Sequence, residues 1–418
     1  MQTIKTSIIT IGDELLIGQV IDTNSTWMAQ ELNKAGIFVK RRVAVGDTWD
    51  DIWLALDEES KLADIILITG GLGPTSDDIT KPLLCKYFNG NMIINEKALQ
   101  NVKYLFEKVF KRPMIESNLK QAEVPDVCTV LQNKRGTAPG MWFNKNGKIF
   151  ISMPGVPFEM KGMMTDDIIP KLIQQFTLPS IIHKTLLTAG VGESFLAEQL
   201  KNFEVVLPAE IKLAYLPSYG MVRLRLTSSG VDKIGTQNKV ESYFTTLQSL
   251  VKEYIVTNED EPMVKVVGNL LIKKNKTVVT AESCTGGYIA HLITTIPGSS
   301  AFYKGSVVSY DNEVKEKVLN VSSETLKSFG AVSEETVKEM LSGILNRIGA
   351  DYAIAVSGIM GPDGGIKDKP AGTVWIAVGN KQNVITQKLH FRFDRIRNIE
   401  LTGLNALNIL RKFILSEN

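Results

Sequence analysis

The chain reads as an α/β protein with three parts: a doubly wound N-terminal domain, a small α+β middle domain and a second α/β domain at the C-terminus. Three observations predict this. At 418 residues the chain is too long for one hydrophobic core, so two to four domains are expected. β-Branched runs alternate at short intervals with helical periodicity in the first 90 residues and again after Met263, the pattern of parallel sheets. Between them the texture changes near Leu178, with Pro179 on one side and the acidic linker Asn258-Glu259-Asp260-Glu261-Pro262 on the other.

In the first part, residues 7–12 read as a buried strand feeding Gly12-Asp13-Glu14. A helix over 24–35 puts Trp27, Met28, Leu32 and Ala35 on one face. The strand 38–45 runs into Gly46-Asp47, followed by a helix over 50–62 and a strand over 65–68. The loop Thr69-Gly70-Gly71-Leu72-Gly73-Pro74-Thr75-Ser76-Asp77-Asp78 then leads into a helix over 78–88. In such sheets ligands bind beyond the carboxyl ends of the strands, and Asp13, Asp47, Asp77 and Asp78 all follow strand ends. Gly70, Gly71 and Gly73 let backbone approach a phosphate, and Thr75 and Ser76 offer hydroxyls. The carboxylates of Asp13, Glu14, Asp47, Asp77 and Asp78 would bind a divalent cation bridging that phosphate, or Asp77 and Asp78 would simply cap a helix.

The middle part alternates strand (183–188), helix (193–201), strands (211–216 and 221–227) and a long helix (233–254). From Met263 onward the pattern predicts a helix over 263–274, a strand over 277–280, a helix over 287–295 and a strand over 306–310. Helices over 312–318 and 333–346, strands over 352–357, 373–378 and near 384–391, and a helix over 396–415 complete the chain. The expected domains are 1–174, 178–257 and 262–418.

Composition narrows the function. Of the residues 44% are hydrophobic and 22% charged, and the formal net charge of +2 gives no sign of a nucleic-acid surface. Three dispersed cysteines argue against a disulfide framework, and three lone histidines against a zinc site. No run reaches the roughly 18 apolar residues of a membrane span, and the opening residues do not read as a signal peptide. A soluble cytoplasmic protein is expected.

The stretch with most chemistry is Ala281-Glu282-Ser283-Cys284-Thr285-Gly286-Gly287, a turn from strand to helix. Its amides beside a hydroxyl suit an oxyanion or a phosphate, because the first N–H groups of a helix lack internal partners. The plainer reading is a tight turn in which the glycines supply dihedrals. Downstream, Tyr310 ends a strand and Lys315 sits about one turn into the next helix. His291 and His390 are poorly placed for a Ser-His-Asp triad, whereas a lysine can act as base if burial lowers its pKa. Lys315 could equally be a solvated helix lysine, and Tyr310 a core aromatic.

Gly12-Asp13-Glu14-Leu15-Leu16-Ile17-Gly18-Gln19, Asp22-Thr23-Asn24-Ser25, Val45-Gly46-Asp47, the loop over 69–80, Gly136-Thr137-Ala138-Pro139-Gly140 and Met153-Pro154-Gly155-Val156-Pro157-Phe158-Glu159-Met160 resemble the N-terminal part of the CinA family, competence/damage-inducible protein A. That part is similar to the molybdopterin-binding domain of molybdenum-cofactor biosynthesis enzymes. The resemblance implies metal-dependent ADP-ribose pyrophosphatase activity, with Gly70, Gly71, Gly73 and Thr75 on phosphate. Asp13, Asp47 and Asp78 would hold a divalent metal, magnesium or cobalt, with or without potassium. The middle part resembles the family's KH-type domain. Its Gly190-Val191-Gly192-Glu193 is not a GxxG loop and places an acid where RNA phosphate would lie, so a scaffold role is expected.

At the C-terminus, residues 281–287, Tyr310-Asp311-Asn312-Glu313-Val314-Lys315, Ser357-Gly358-Ile359-Met360-Gly361-Pro362 and Lys369-Pro370-Ala371-Gly372-Thr373-Val374 resemble the CinA C-terminal domain. The resemblance implies a nicotinamide mononucleotide deamidase, a serine/lysine amidohydrolase that needs no cofactor and forms nicotinic acid mononucleotide and ammonia. Ser283 would be the nucleophile, Lys315 its base and Tyr310 a hydrogen-bonding partner in the same site. Amides near Cys284, Thr285, Gly286 and Gly287 would hold the oxyanion. Ser357, Gly358, Gly361 and Thr373 would cradle ribose and phosphate, and Arg395 or Arg397 would pair with the phosphate. Two positions depart from the family: Met360 stands where alanine is usual, and Phe393 replaces a glycine, which bears on the aim of Arg395. The family also implies a homodimer. Two other readings are a non-catalytic nucleotide-binding accessory protein in competence or the DNA-damage response, and a molybdopterin-handling enzyme. The last leaves some 150 C-terminal residues without a role.

Overall fold

The computed structural model describes residues 4–75, 78–218 and 220–417, apart from the side chains of Glu116 and Ser117. Ser76 and Asp77, candidates for the N-terminal crevice, lie outside the described residues. The chain divides into two compact units, one of residues 1–182 and 228–238, the other of residues 183–227 and 239–418.

The N-terminal unit is built on a six-stranded sheet. Its strands, in spatial order, are Phe38–Val45, Lys5–Ile11, Ile65–Thr69, Lys148–Met153, Gly140–Lys145 and Thr129–Leu131. The first four run parallel, and Gly140–Lys145 pairs antiparallel with both its neighbours. Alternation along a strand sends successive side chains to opposite faces, so each face has its own core. Ile8, Ile65, Leu67 and Ile151 pack with Met28 and Leu32 of helix Thr23–Lys34. Ile9, Ile66, Ile68 and Phe150 pack with Ile52 and Leu56 of helix Trp49–Leu62. The parallel strands all end on one edge, where Asp13, Asp47 and the glycine-rich loop extend beyond them.

The second unit contains a five-stranded sheet in the order Tyr303–Val308, Val278–Glu282, Tyr352–Gly358, Thr373–Gly379 and Val384–His390. The first three strands are parallel, and Thr373–Gly379 pairs antiparallel with both its neighbours. Its two faces again carry separate cores. Val278, Ile354, Val356 and Ile376 pack with Leu407, Leu410 and Phe413 of the long helix Arg395–Ser416. Val279, Ala353 and Ala355 pack with Val337, Leu341 and Ile344 of helix Glu334–Ile348. The alanines leave room for that helix to lie close to the sheet.

The middle segment forms a four-stranded sheet, Lys212–Ser218, Met221–Gly230, Ser180–Ala189 and Ile255–Thr257. Leu187, Ala189, Met221 and Val256 belong to the same apolar cluster as Met263 and Val264, so this sheet shares a core with helix Met263–Lys274. The acidic linker is fastened as well: the Arg223 guanidinium pairs with Asp260 at 3.0 Å. Among the described residues no helix is long and apolar enough to cross a membrane.

Candidate active site

Strand Val278–Glu282 lies between two parallel partners, with Glu282 in register with Val308 on one side and Val356 on the other. Past Glu282 the chain leaves the sheet. The Ser283 amide donates to the Val356 carbonyl at 3.0 Å, and the Gly286 amide donates back to the Ser283 carbonyl at 3.1 Å. Gly286 and Gly287 then take φ of 61° and 96°, left-handed values that residues with a Cβ rarely adopt, and helix Tyr288–Thr294 begins. Ser283 is thereby carried, buried, on the corner between strand and helix.

Helix Asn312–Leu319 is started by Asp311, whose carboxylate accepts from the Glu313 amide at 2.8 Å. Lys315, on its first turn, is only 1% exposed. Its Nζ donates to the carbonyls of Ser309 at 2.8 Å and Tyr310 at 3.1 Å. Those carbonyls face the amine, and the strand closes at Val308, two residues before the expected end at 310. Burial pushes the Lys315 pKa below the ordinary lysine value, against the pull of Asp311 and Cys284. Ser283 and Lys315 line one cavity of about 290 Å³, with Cys284, Ser357, Gly358 and Asp363.

Tyr310 is also on this cavity but at its rim, 63% exposed. Its hydroxyl accepts from Arg395 Nη2 at 2.9 Å, while Arg395 Nη1 donates to the Gly361 carbonyl at 2.9 Å. The Ser357 hydroxyl is committed to the Ala331 carbonyl at 2.6 Å. Asn398 pins the surrounding loops, donating to the carbonyls of Met360 at 2.9 Å and Phe393 at 3.0 Å. With Phe393 so held, Arg395 still reaches the cavity wall, and Met360 forms part of that wall.

The N-terminal unit carries a second cavity, of about 440 Å³, lined by Gly70, Gly71, Gly73, Asp47, Asp78 and Glu159 among others. Asp78 closes the glycine-rich loop on itself: its carboxylate accepts from the Gly73 amide at 2.8 Å, the Thr75 amide at 2.9 Å and the Thr75 hydroxyl. Asp13 and Asp47 join two strand ends, each carboxylate accepting from the other's amide at 3.0 and 3.1 Å. Burial pushes Glu159 up, opposed by a bond from Asn133. Burial also pushes Lys81, the second residue of helix Thr80–Tyr87, down to about 8 against the pull of Glu123 and Asp78.

Three stretches match described families: residues 7–174 the "Probable molybdopterin binding domain", 183–257 the "Damage-inducible protein CinA KH domain" and 260–414 the "CinA C-terminal domain". A CinA-like protein of Cytophaga hutchinsonii is 47% identical over 98% of this chain and 98% of its own. The chain belongs to the CinA family. A CinA-like protein of Flavobacterium psychrophilum is likewise 47% identical, over 98% of this chain and 99% of its own. The crystal structure of competence damage-inducible protein A from Klebsiella pneumoniae is 40% identical and covers 37% of this chain and 97% of that one, with a TM-score of 0.37. This CinA-family chain therefore has three domains: a molybdopterin-binding-like N-terminus, a KH-like middle and a CinA C-terminal domain.

The residues singled out in the sequence are not all brought together. Ser283, Cys284, Tyr310, Lys315, Ser357, Gly358 and Arg395 share the C-terminal cavity. Thr285, Gly286, Gly287, Gly361 and Thr373 do not line it. Thr285 turns its hydroxyl to Glu282, the two glycines shape the turn, and Thr373 is buried at the start of its strand. Arg397 stacks over the Phe393 ring, 4.3 Å from its centroid. In the other cavity Thr75 and Asp13 are off the wall. Asp13 and Asp47 each give one carboxylate oxygen to the other's amide, and Asp78 accepts from the Gly73 and Thr75 amides. Among the described residues no three His, Cys, Asp or Glu side chains form a metal-binding group. The arrangement also adds Asn312, Ala331, Val332 and Asp363 to the C-terminal cavity and Gln121 and Glu159 to the N-terminal one. Asn312 falls within the family motif over 310–315 and Glu159 within that over 153–160, whereas Gln121, Ala331, Val332 and Asp363 carried no motif signal.

Proposed function

We propose that the C-terminal cavity hydrolyses the carboxamide of nicotinamide mononucleotide to nicotinic acid mononucleotide and ammonia. The observation that carries this reading is the burial of the Lys315 amine in the wall that also holds Ser283. A serine hydroxyl attacks a carboxamide only as a proton acceptor removes its proton, and an ammonium cannot serve. Desolvation favours the neutral amine, which takes the Ser283 proton as Oγ attacks the amide carbon. The tetrahedral oxyanion needs fixed N–H donors, which the turn supplies. The proton passes to the departing nitrogen, ammonia leaves, and a water molecule, deprotonated by the same amine, cleaves the acyl-serine. Arg395 and the Tyr310 hydroxyl stand together at the rim, where a phosphate would make charge-assisted bonds. Asp363 offers a carboxylate to ribose hydroxyls. A volume of about 290 Å³ suits a mononucleotide, small-molecule sites beginning near ~300 Å³.

The test is ammonia release from nicotinamide mononucleotide, nicotinamide riboside and nicotinamide. Release by wild type, preference for the phosphorylated compound and none by Ser283→Ala are expected. Binding without release would favour the accessory-protein reading, and turnover by Ser283→Ala would remove the nucleophile.

For the N-terminal cavity we propose an ADP-ribose ligand, with its diphosphate against Gly70, Gly71 and Gly73. Support comes from the loop's closure around Asp78, which holds three glycines at the cavity wall. Four carboxylates face that space, so a divalent cation entering with the ligand would offset their repulsion of phosphate. Calorimetry with ADP-ribose, with and without magnesium, checks it; no binding in either condition would refute it.

A further inference from the structure

We propose that Glu282 is a positioning residue of the nucleophile turn, holding strand, turn and helix as one body so that the Cys284 amide is left to meet the oxyanion. The inference rests on the reading of Ser283 as nucleophile.

Glu282 is 0% exposed and, among the described residues, forms no ion pair with a cationic side chain. A buried carboxylate persists only when its lone pairs are met. Here Oε1 accepts from the Ala290 amide at 2.8 Å and the Thr280 hydroxyl at 3.2 Å. Oε2 accepts from the Ile289 amide at 3.0 Å and the Thr285 hydroxyl at 2.7 Å. Helix Tyr288–Thr294 begins at Gly287, which has no side chain to cap it. Its cap comes from Glu282, on the far side of the turn, and the same carboxylate grips the turn through Thr285.

This arrangement takes the first helix amides, and that of Gly286, out of the set that could meet an oxyanion. The Ile289 and Ala290 amides are spent on Glu282. Those of Ser283, Gly286 and Tyr288 donate to the carbonyls of Val356, Ser283 and Thr285. Among the described residues no acceptor engages the amides of Cys284, Thr285 and Gly287; of these three residues Cys284 comes directly after the nucleophile and lines the cavity. Without Glu282, the helix amides would compete for any nearby anion and the corner carrying Ser283 would lose its brace.

The experiment compares wild type, Glu282→Gln and Ser283→Ala in ammonia release from nicotinamide mononucleotide, in covalent labelling by a serine-directed fluorophosphonate, and in thermal melting. Glutamine keeps the reach but can accept with only one atom, so an amide loses its partner. The expected result is a folded Glu282→Gln enzyme whose kcat and labelling rate both fall by about tenfold to a hundredfold, with KM within about threefold of wild type. A kcat equal to wild type, or a change in KM alone, overturns the proposal. Should Glu282→Gln fail to fold, Thr285→Val removes a single donor from the carboxylate. A smaller fall in kcat at constant KM supports the proposal, and an unchanged kcat overturns it. If wild type releases no ammonia but labels at Ser283, the substrate reading fails while the labelling rates still decide the role of Glu282. If Ser283 does not label, the proposal falls with the nucleophile.

Discussion

Replacing Lys315 by methionine removes one amine from the C-terminal cavity wall while keeping most of the side-chain volume. The position of that amine gives the substitution two effects. The first is on rate: a positioned general base contributes about 10²–10⁴-fold, which is about 2.7–5.4 kcal/mol of barrier. Lys315→Met is expected to lose that much kcat in ammonia release. The second is on stability, where opposing terms make the midpoint alone a poor guide. Methionine avoids burying a charge but strands the Ser309 and Tyr310 carbonyls, each at a cost of about 1–3 kcal/mol. The pH dependence is cleaner. Burial lowers the folded-state pKa of Lys315 below its ordinary 10.5, so between those two values the unfolded chain holds the extra proton. Wild-type stability relative to Lys315→Met therefore rises with pH through that window and levels off above 10.5. Urea unfolding of both proteins from about pH 7 to 11 measures the difference. A variant within threefold of wild-type activity, or a stability difference that is flat or falls with pH, refutes the reasoning.

Arg395→Ala and Tyr310→Phe are expected to raise KM for nicotinamide mononucleotide, by about tenfold to a hundredfold for the arginine because a charged hydrogen bond contributes about 1.5–3 kcal/mol, and to leave nicotinamide riboside unaffected. Parallel losses with both substrates would place the phosphate elsewhere. Gly343→Ala should destabilise the second unit by about 1–3 kcal/mol or more in urea unfolding, since the new Cβ would lie 1.8 Å from the Leu319 carbonyl oxygen. That carbonyl ends the helix carrying Lys315, so activity should fall as well; unchanged stability would contradict the packing. Asp78→Ala should free the glycine-rich loop by removing the acceptor of the Gly73 and Thr75 amides, weakening ADP-ribose binding by about tenfold in calorimetry. Wild-type affinity in that variant would refute the loop's role.

The central parallel strands Ile65–Thr69 and Tyr352–Gly358 were legible because they are buried on both faces and read as unbroken apolar runs, whereas the parallel strand Lys148–Met153 was not read. The antiparallel strands Thr129–Leu131 and Gly140–Lys145 were not, being short and joined by loops with no helical crossover to announce them. Motif resemblance singled out Ser283 and Lys315, but residue type alone left Lys315 open between a buried amine and a solvated one. That choice depends on two carbonyls from the preceding loop, which no local pattern specifies. The same limit hid Glu282, whose four partners come from its own strand, the turn and the helix beyond. For Tyr310 the structure replaces the core-aromatic reading with an exposed rim position in the cavity of Ser283 and Lys315, its hydroxyl accepting from Arg395, because the strand closes before reaching it.

The most direct test of a serine nucleophile served by a buried lysine is intact-protein mass spectrometry of wild type quenched within milliseconds of mixing with nicotinamide mononucleotide. A nicotinate mononucleotide adduct on Ser283 that forms and decays at catalytically competent rates, and is absent from Ser283→Ala, is the predicted result. Ammonia released at the same rate with no adduct on Ser283, or with Ser283→Ala still turning over, would contradict it.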